Sequence, residues 1–171
     1  MGLAGDPRAR LALEGALGDG EARVRVEAAL ALARLGWRDR ADAVLTDELV
    51  GEFFRDAHLR AARALALLGD DSGYGRVTDA LASALASNRA EAVAALPVFV
   101  PLAGPGTGID PVGALVAVAG RDPEPIVRGD ALTAMAGTGD PRVADALVRA
   151  RRDADPGVRA IAERLSRGAA E

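Results

Sequence analysis

A repeated motif constrains this chain of 171 residues more than any other feature. The arginine of a Val-Arg pair at 24–25 is followed by Ala28, Leu32 and Gly36 at offsets of 3, 7 and 11 residues. Full or partial copies recur along the chain, and their anchor residues are Arg25, His58, Arg89, Arg128 and Arg159. The anchors are spaced 33, 31, 39 and 31 residues apart. A period of this length is typical of proteins that stack one supersecondary unit on the next.

Each copy predicts a pair of helices. Offsets 3, 7 and 10 lie on one face of a helix with 3.6 residues per turn, so they form its buried side. A glycine at offset 11 ends the helix in the left-handed conformation, and Asp140-Pro141 then provides an N-cap and a proline at the first helical position. The predicted helices cover 7–17, 23–35, 39–50, 56–68, 74–86, 89–99, 111–119, 125–137, 141–152 and 157–167.

The two ends of the chain match each other as parts of one unit. Gly5-Asp6-Pro7-Arg8 has the same pattern as Gly139-Asp140-Pro141-Arg142, and in both cases an anchor arginine follows the aspartate by 19 residues. We therefore expect the chain to begin on the second helix of one unit and to end on the first helix of another. The composition, with 39 alanines and only five aromatic residues, favours thin, closely approaching helices. The prediction is an all-α fold, a single domain over 1–171 of about five stacked helix pairs.

The motif Val-Arg-x-x-Ala-x-x-x-Leu-x-x-Leu-Gly-Asp, carried in whole or in part by 24–36, 57–70 and 127–140, resembles the short bacterial HEAT repeats. These are often called phycobilisome-lyase-type HEAT-like repeats, and the resemblance covers nearly the whole chain. It implies a right-handed, armadillo-like α-solenoid whose second helices line the concave side. Proteins of this kind are mostly scaffolds, and only a few are enzymes.

Composition argues against most catalytic classes. The chain has no lysine, no cysteine and one histidine, and its formal net charge is −4. A Schiff base, a phosphate-binding P-loop and a thiolate zinc site therefore have no residues to form them, and a lone His58 does not make a multi-histidine metal site. The sequence predicts no catalytic, cofactor or metal site. The acidic balance also argues against a general nucleic-acid binder.

Two features bear on location. No run of about 18 apolar residues without a charge or a helix breaker occurs, so no membrane span is predicted. The start of the chain, Met1–Pro7, lacks a charged leader followed by an apolar run, so it does not resemble a signal peptide. The expected location is cytoplasmic.

An acidic residue precedes four of the five anchors by six residues. These residues are Asp19, Glu52, Asp122 and Asp153. Because the spacing recurs with the repeat itself, we expect an ion-pair ladder between adjacent units. A functional anion site is the alternative.

The last predicted second helix carries the candidate partner-binding residues. Arg142, Asp145, Arg149 and Arg152 follow at i, i+3, i+7 and i+10 and form one polar stripe on the ninth predicted helix, 141–152, which we call the α9 stripe. The predicted inward face of this helix is Val143, Ala146, Leu147 and Ala150. Three arginines on an outward stripe suit a carboxylate or a phosphate, although charge runs are usually solvated faces.

Four other features allow two interpretations each. Trp37, just past a predicted helix C-terminus, is expected to cover the end of the stack of repeats rather than to stack on a ligand. His58 is expected to be a surface or ladder residue rather than a pH-sensitive contact. Residues 98–102 are expected to be core rather than an apolar interface, and Gly104–Gly108 is expected to be the turn that lengthens one repeat rather than a partner contact.

The hypothesis that follows is a non-catalytic HEAT-repeat scaffold that binds a protein or peptide on its concave surface. One alternative is a bilin-lyase-like enzyme or accessory protein that handles a tetrapyrrole. Another is a binder of a phosphate-rich partner, held by the arginines of 142–152.

Overall fold

The computed structural model describes residues 7–50 and 55–168, without the side chains of Pro7, Asp39, Arg55 and Asp56. These ranges are helical and contain no strand, which confirms the all-α prediction for the described residues. The helices are α1 (Pro7–Ala16), α2 (Ala22–Arg34), α3 (Arg38–Val50), α4 (Arg55–Leu67), α5 (Tyr74–Leu81), α6 (Ala86–Ala95), a 3-10 helix (Leu96–Leu102), α7 (Pro111–Arg121), α8 (Pro125–Ala136), α9 (Arg142–Ala150) and α10 (Pro156–Gly168). The sequence predicts the α-helices in this order, and most of their ends lie within two residues of the predicted positions.

The repeated apolar positions form the buried side of the anchor helices. Offsets 3 and 7 are buried at Ala28, Leu32, Ala61, Leu65, Ala92, Leu96, Ala131, Met135 and, for offset 3, Ala162. Offset 10 behaves differently from the prediction, since Leu35 is 38% exposed. The reason is that α2 ends at Arg34, so the residue at offset 10 lies beyond the last residue of the helix.

The turn after α2 explains why the motif ends in glycine. The N–H of Trp37 donates to the carbonyl of Leu32 at 2.9 Å, and the N–H of Gly36 donates to the carbonyl of Ala33 at 3.0 Å. This pair of bonds is the Schellman motif, which requires a left-handed residue at the position of Gly36, whose φ is +90°. The chain therefore reverses within a few residues and starts α3 at once.

The turn after α8 has the predicted glycine but a different geometry. Gly139 has a φ of +71°, as predicted, but α8 ends earlier, at Ala136. Asp140 does not serve as the residue that starts the helix, because α9 begins at Arg142. Its carboxylate still accepts a hydrogen bond from the N–H of Arg142 at 2.9 Å, so it satisfies one of the open donors of the first turn.

Three predicted helix ends in the middle of the chain are wrong, and one of them is the start of α6, at Ala86 rather than 89. Helix α5 ends at Leu81 rather than 86, and the hydroxyl of Ser83 accepts a hydrogen bond from the N–H of Leu85. A short polar side chain that bonds the local backbone competes with the helix in this way. Helix α6 ends at Ala95 rather than 99, and a 3-10 helix containing Pro97 and Pro101 follows, because proline lacks the N–H that an α-helix needs.

The 3-10 helix holds the largest fully buried side chain of the described residues. Phe99 is completely buried, and its neighbours Val98, Val100 and Leu102 are half-buried. The prediction that residues 98–102 belong to the core is therefore confirmed for Phe99, whereas Pro101 of the same stretch is exposed. Gly104–Gly108 then forms an exposed turn, in which the hydroxyl of Thr107 donates to the carbonyl of Gly104 at 3.0 Å. The 3-10 helix and this turn together lengthen the third repeat.

The chain divides into two compact units, Met1–Arg76 and Val77–Glu171. In the first unit, α2 packs against α1, α3 and α4. In the second unit, α8 packs between α6 and α10, while α7 packs against α9. The anchor helices of the second unit therefore form one layer, and the second helices α7 and α9 form another. A single domain over 1–171 stays a prediction.

Candidate functional site

The anchor residues of the second unit form a continuous ladder of ion pairs. Arg89 donates to the carboxylate of Asp122 through Nε and Nη2 at 2.7 and 2.9 Å. Arg128 donates to Asp153 in the same way at 2.8 and 2.7 Å. Each aspartate comes from the turn that precedes the next anchor helix. The predicted ladder is thereby confirmed for this unit.

The remaining guanidinium nitrogen of each anchor fastens the turn before its own helix. Nη1 of Arg128 donates to the carbonyl of Asp122 at 2.9 Å, and Nη1 of Arg159 donates to that of Asp153 at 2.7 Å. Nη1 of Arg89 reaches the carbonyl of Ser83 at 3.0 Å. The spacing of six residues thus reflects a backbone contact within one repeat. The carboxylate of the same turn binds the anchor arginine of the preceding repeat. We call this set the anchor ladder: Arg89, Asp122, Arg128, Asp153 and Arg159.

The ladder carboxylates are held as ionised groups. Asp122 and its partner Arg89 are both buried, with exposures of 8% and 7%. The hydrogen bonds from Arg89 lower the pKa of Asp122, against the opposing effect of desolvation, and those from Arg128 lower the pKa of Asp153. The same contacts raise the pKa of Arg89 and of Arg128. Paired, charge-assisted bonds of this kind fit a structural role better than an open anion site.

The first unit departs from this pattern. Nε of Arg25 donates to the carboxylate of Glu48 in α3, and its Nη1 donates to the carbonyl of Asp19 at 2.6 Å. Glu52, the predicted acidic partner from the turn before the next anchor helix, lies outside the described residues. Gly5 and Asp6, which carry the match between the two chain ends, also lie outside them. His58 is half-buried on α4. The backbone contact of the anchor is therefore present in both units, whereas its carboxylate partner differs.

Helix α9 shows the predicted division into an inner and an outer face. Val143, Ala146, Leu147 and Ala150 are buried. All four residues of the α9 stripe are exposed: Arg142, Asp145, Arg149 and Arg152. The stripe is not a single functional surface, however, because its members differ in what they contact.

Arg142 is engaged by two carboxylates at the start of α9. Its guanidinium donates to Asp110 at 2.8 and 2.9 Å and to Asp140 at 2.9 and 2.8 Å. Asp110 is the N-cap of α7 and also accepts from the N–H of Gly113 at 3.0 Å. The Arg142 guanidinium lowers the pKa of Asp140 to about 2. Arg142 therefore ties the first turn of α9 to that of α7, which is a structural contact that the sequence analysis missed.

The other two arginines of the α9 stripe border a cleft. The cleft has a volume of about 230 Å³ and lies between α7 and α9. It is lined by Val116, Ala119, Gly120, Ala146, Arg149, Ala150, Arg152 and Asp153. We call Arg149 and Arg152 the cleft arginines. Within 7–50 and 55–168, neither has a carboxylate at ion-pair distance.

The cleft arginines also have a structural interpretation. Arg149 lies in the last turn of α9, and Arg152 lies just beyond the helix end. Cations near a helix C-terminus interact favourably with the helix dipole, by about 0.3–1 kcal/mol for exposed groups. This contribution is small, so it leaves both guanidinium groups able to bind an external anion.

The α7 wall of the cleft was not among the predicted site residues. It comes from the stretch 77–120, where charged residues are few and no motif singles out a surface. Val116 and Gly120 lie one turn apart on α7, a spacing that fits core packing as well as a cleft. Only the packing of α7 against α9 reveals that these residues face the cleft arginines.

Trp37 lies in the first unit, next to the Schellman turn of α2. Its half-buried ring lies under the guanidinium of Arg10, whose Cζ is 5.1 Å from the ring centroid. Arg10 also pairs with Glu14 at 2.8 Å. A cation–π contact with an arginine of α1 covers one side of the ring. The expectation that Trp37 covers the end of the stack stays a prediction.

Comparison with models of known protein families gives no match for this chain, and comparison with curated proteins gives no relative. No helix of the described ranges is long and apolar enough to cross a membrane. The same ranges contain no cluster of three or more His, Asp or Glu side chains arranged to hold a metal ion.

Proposed function

We propose that this protein is a non-catalytic, HEAT-type helical-repeat scaffold that binds a protein or peptide partner on the surface formed by its second helices. The observation that carries the proposal is the cleft between α7 and α9, where the two cleft arginines border an apolar floor. A partner that covers this surface forms charge pairs with the exposed cationic rim and apolar contacts with the small residues next to it.

The packing of the second unit supports the repeat architecture within the proposal. The anchor ladder joins three successive anchor helices through the same contacts, and those helices pack on each other as a layer. The second helices α7 and α9 form a separate layer, as stacked helix pairs do. We propose that about five such pairs form a right-handed solenoid with α7 and α9 on its concave side.

The size of the cleft favours a peptide over a tetrapyrrole. Pockets that enclose small molecules have volumes of roughly 300–1,000 Å³ and are usually lined by aromatic side chains. The cleft is smaller, at about 230 Å³, and its lining contains alanine, glycine and valine. A single side chain of a partner fits this space better than a flat ring system does.

The test is affinity capture from an extract of the source cells with three forms of the protein. The first is the wild type, the second carries Arg149→Glu and Arg152→Glu, and the third carries Arg164→Glu and Arg167→Glu. The third form is a matched control, since Arg164 and Arg167 are exposed, lie three residues apart and occupy the end of α10. Circular dichroism confirms that each form is folded.

We expect the wild type and the α10 control to recover the same partner, and the α9 variant to recover much less of it. Equal recovery by all three forms would contradict a partner site at the cleft arginines. A catalytic turnover by the wild type that the α9 variant loses would contradict the non-catalytic assignment.

A further inference from the structure

Building on the proposed function, we infer that the cleft between α7 and α9 binds a short acidic segment of a partner protein. In this arrangement an aliphatic side chain of the segment lies on the cleft floor, and two carboxylates, one on each side of it along the segment, bind Arg149 and Arg152. The inference adds the chemistry of the partner to the proposed scaffold.

The floor of the cleft selects an aliphatic group. Ala119, Ala146 and Ala150 are buried and Val116 is half-buried, and their side chains offer no hydrogen-bonding atom. A polar side chain placed there would lose its water without gaining a partner. The volume of about 230 Å³ equals that of roughly eight water molecules in the liquid, at about 30 Å³ each. This space is large enough to hold a Leu, Ile or Val side chain.

The rim selects negative charge. Asp153 is the only acidic residue among those lining the cleft, and Arg128 already holds its carboxylate through two hydrogen bonds of 2.8 and 2.7 Å. The cleft arginines therefore leave two positive charges at the rim that no described carboxylate contacts at ion-pair distance. A guanidinium group binds a carboxylate through two parallel bonds, so two carboxylates match two arginines.

The apolar floor and the cationic rim of the cleft together favour a peptide over a free anion. A phosphate could neutralise both arginines, but it would leave the apolar floor exposed to water. An acidic segment with an aliphatic residue contacts floor and rim at once. In an extended chain, residues i, i+2 and i+4 lie on one face, so the pattern Glu-Ser-Leu-Ser-Glu presents both carboxylates and the leucine to the cleft.

The experiment is a titration of the full chain with the acetylated and amidated peptide Gly-Glu-Ser-Leu-Ser-Glu-Gly, followed by nitrogen-15 NMR. We expect backbone shifts that saturate and that concentrate at the cleft residues of α7 and α9. Replacing both glutamates by glutamine should weaken binding about three- to tenfold, the range expected for the loss of two exposed ion pairs. Replacing the leucine by glycine should weaken it about tenfold or more, because an apolar side chain loses its buried surface.

Two protein variants test the rim and the floor separately. Arg149→Glu with Arg152→Glu should abolish saturable binding, whereas Arg164→Glu with Arg167→Glu should leave it unchanged. Gly120→Leu should also block binding, because Gly120 is exposed at the cleft and a Cβ added there meets no atom within 4 Å. Gly168→Leu is its matched control, since Gly168 is an exposed helical glycine with equally open surroundings.

Three results would overturn the inference. These are shifts outside the cleft, unchanged binding by the Arg149/Arg152 variant, or equal shifts with inorganic phosphate together with no effect of replacing the leucine. The last result would identify the site as a phosphate site. The proposed function fails separately. If affinity capture depends on the cleft arginines but the peptide does not bind, the scaffold stands and the acidic-segment inference is wrong. If neither affinity capture nor peptide binding depends on the cleft arginines, both the proposed partner site and the acidic-segment inference are wrong.

Discussion

The anchor ladder and the cleft both depend on arginines of the second unit, but the two groups of arginines have opposite surroundings. In the ladder, Arg89 and Arg128 have three guanidinium nitrogens engaged by a carboxylate and by backbone carbonyls. At the cleft, Arg149 and Arg152 are exposed and have no carboxylate partner among the described residues. The residue type alone therefore does not indicate function. Recurrence with the repeat marks the arginines that hold the units together. Arg142, Arg149 and Arg152 fall outside that pattern, and of these three only Arg149 and Arg152 lack a carboxylate partner among the described residues.

The largest effect is expected from removing a ladder arginine. Arg128→Met should lower the free energy of unfolding by about 3 kcal/mol, because the largely buried Asp153 keeps its charge and loses its partner. Urea denaturation followed by circular dichroism measures the change. The double variant Arg128→Met/Asp153→Asn serves as the control, and it should recover part of the loss because the unpaired charge is gone. A variant of Arg128 that is fully stable but no longer binds the partner would reverse the assignment of the ladder.

The next effect concerns the turn that joins the ladder helix α8 to the cleft helix α9. Gly139→Val should lower the free energy of unfolding by about 1–2 kcal/mol, because a β-branched residue is strained at a φ of +71°. Gly104→Val is the comparison, since Gly104 is an exposed loop glycine whose added Cβ meets no atom within 4 Å. Equal melting temperatures for the two variants would show that the backbone at 139 does not require glycine.

Acid should weaken the anchor ladder and the contact between Asp140 and Arg142. The carboxyl groups of Asp122 and Asp153 have lowered pKa values in the folded chain, and that of Asp140 is about 2. Their stabilisation is complete above the unfolded pKa of about 3.9 and is lost as the pH falls through the lower folded values. We expect the melting temperature to fall between about pH 4 and pH 2, and to fall less steeply in Asp153→Asn. A pH profile that is identical in wild type and variant would exclude Asp153 from this response.

The sequence predicts the repeating parts of this molecule well and the unique parts poorly. The ladder was predictable because Asp122 and Asp153 each precede an anchor by six residues, and repetition shows which residues act together. The pairing of Arg142 with Asp110 was not predictable, because it occurs once and spans 32 residues. The α7 wall of the cleft was missed for a similar reason. Val116 and Gly120 have no distinguishing chemistry until α9 packs beside them. The early end of α5 was also missed, although Ser83 precedes Arg89 by six residues. Its hydroxyl accepts from the N–H of Leu85, as the carboxylate of Asp122 accepts from that of Glu124.

The smallest effect, and the one that separates the two regions most sharply, is expected at the cleft arginines themselves. Arg149→Gln with Arg152→Gln should change the free energy of unfolding by no more than about 0.5 kcal/mol. Both side chains are exposed, and only their weak interaction with the C-terminal end of α9 is lost. The same variant should bind the partner more weakly, and the wild-type interaction should itself weaken as salt is raised, because exposed charges are screened. The measurements are urea denaturation and a binding titration at two salt concentrations, with Arg164→Gln/Arg167→Gln as the matched form. If the α9 variant loses as much stability as Arg128→Met, the cleft arginines belong to the framework of the fold, and the distinction between the two regions is wrong.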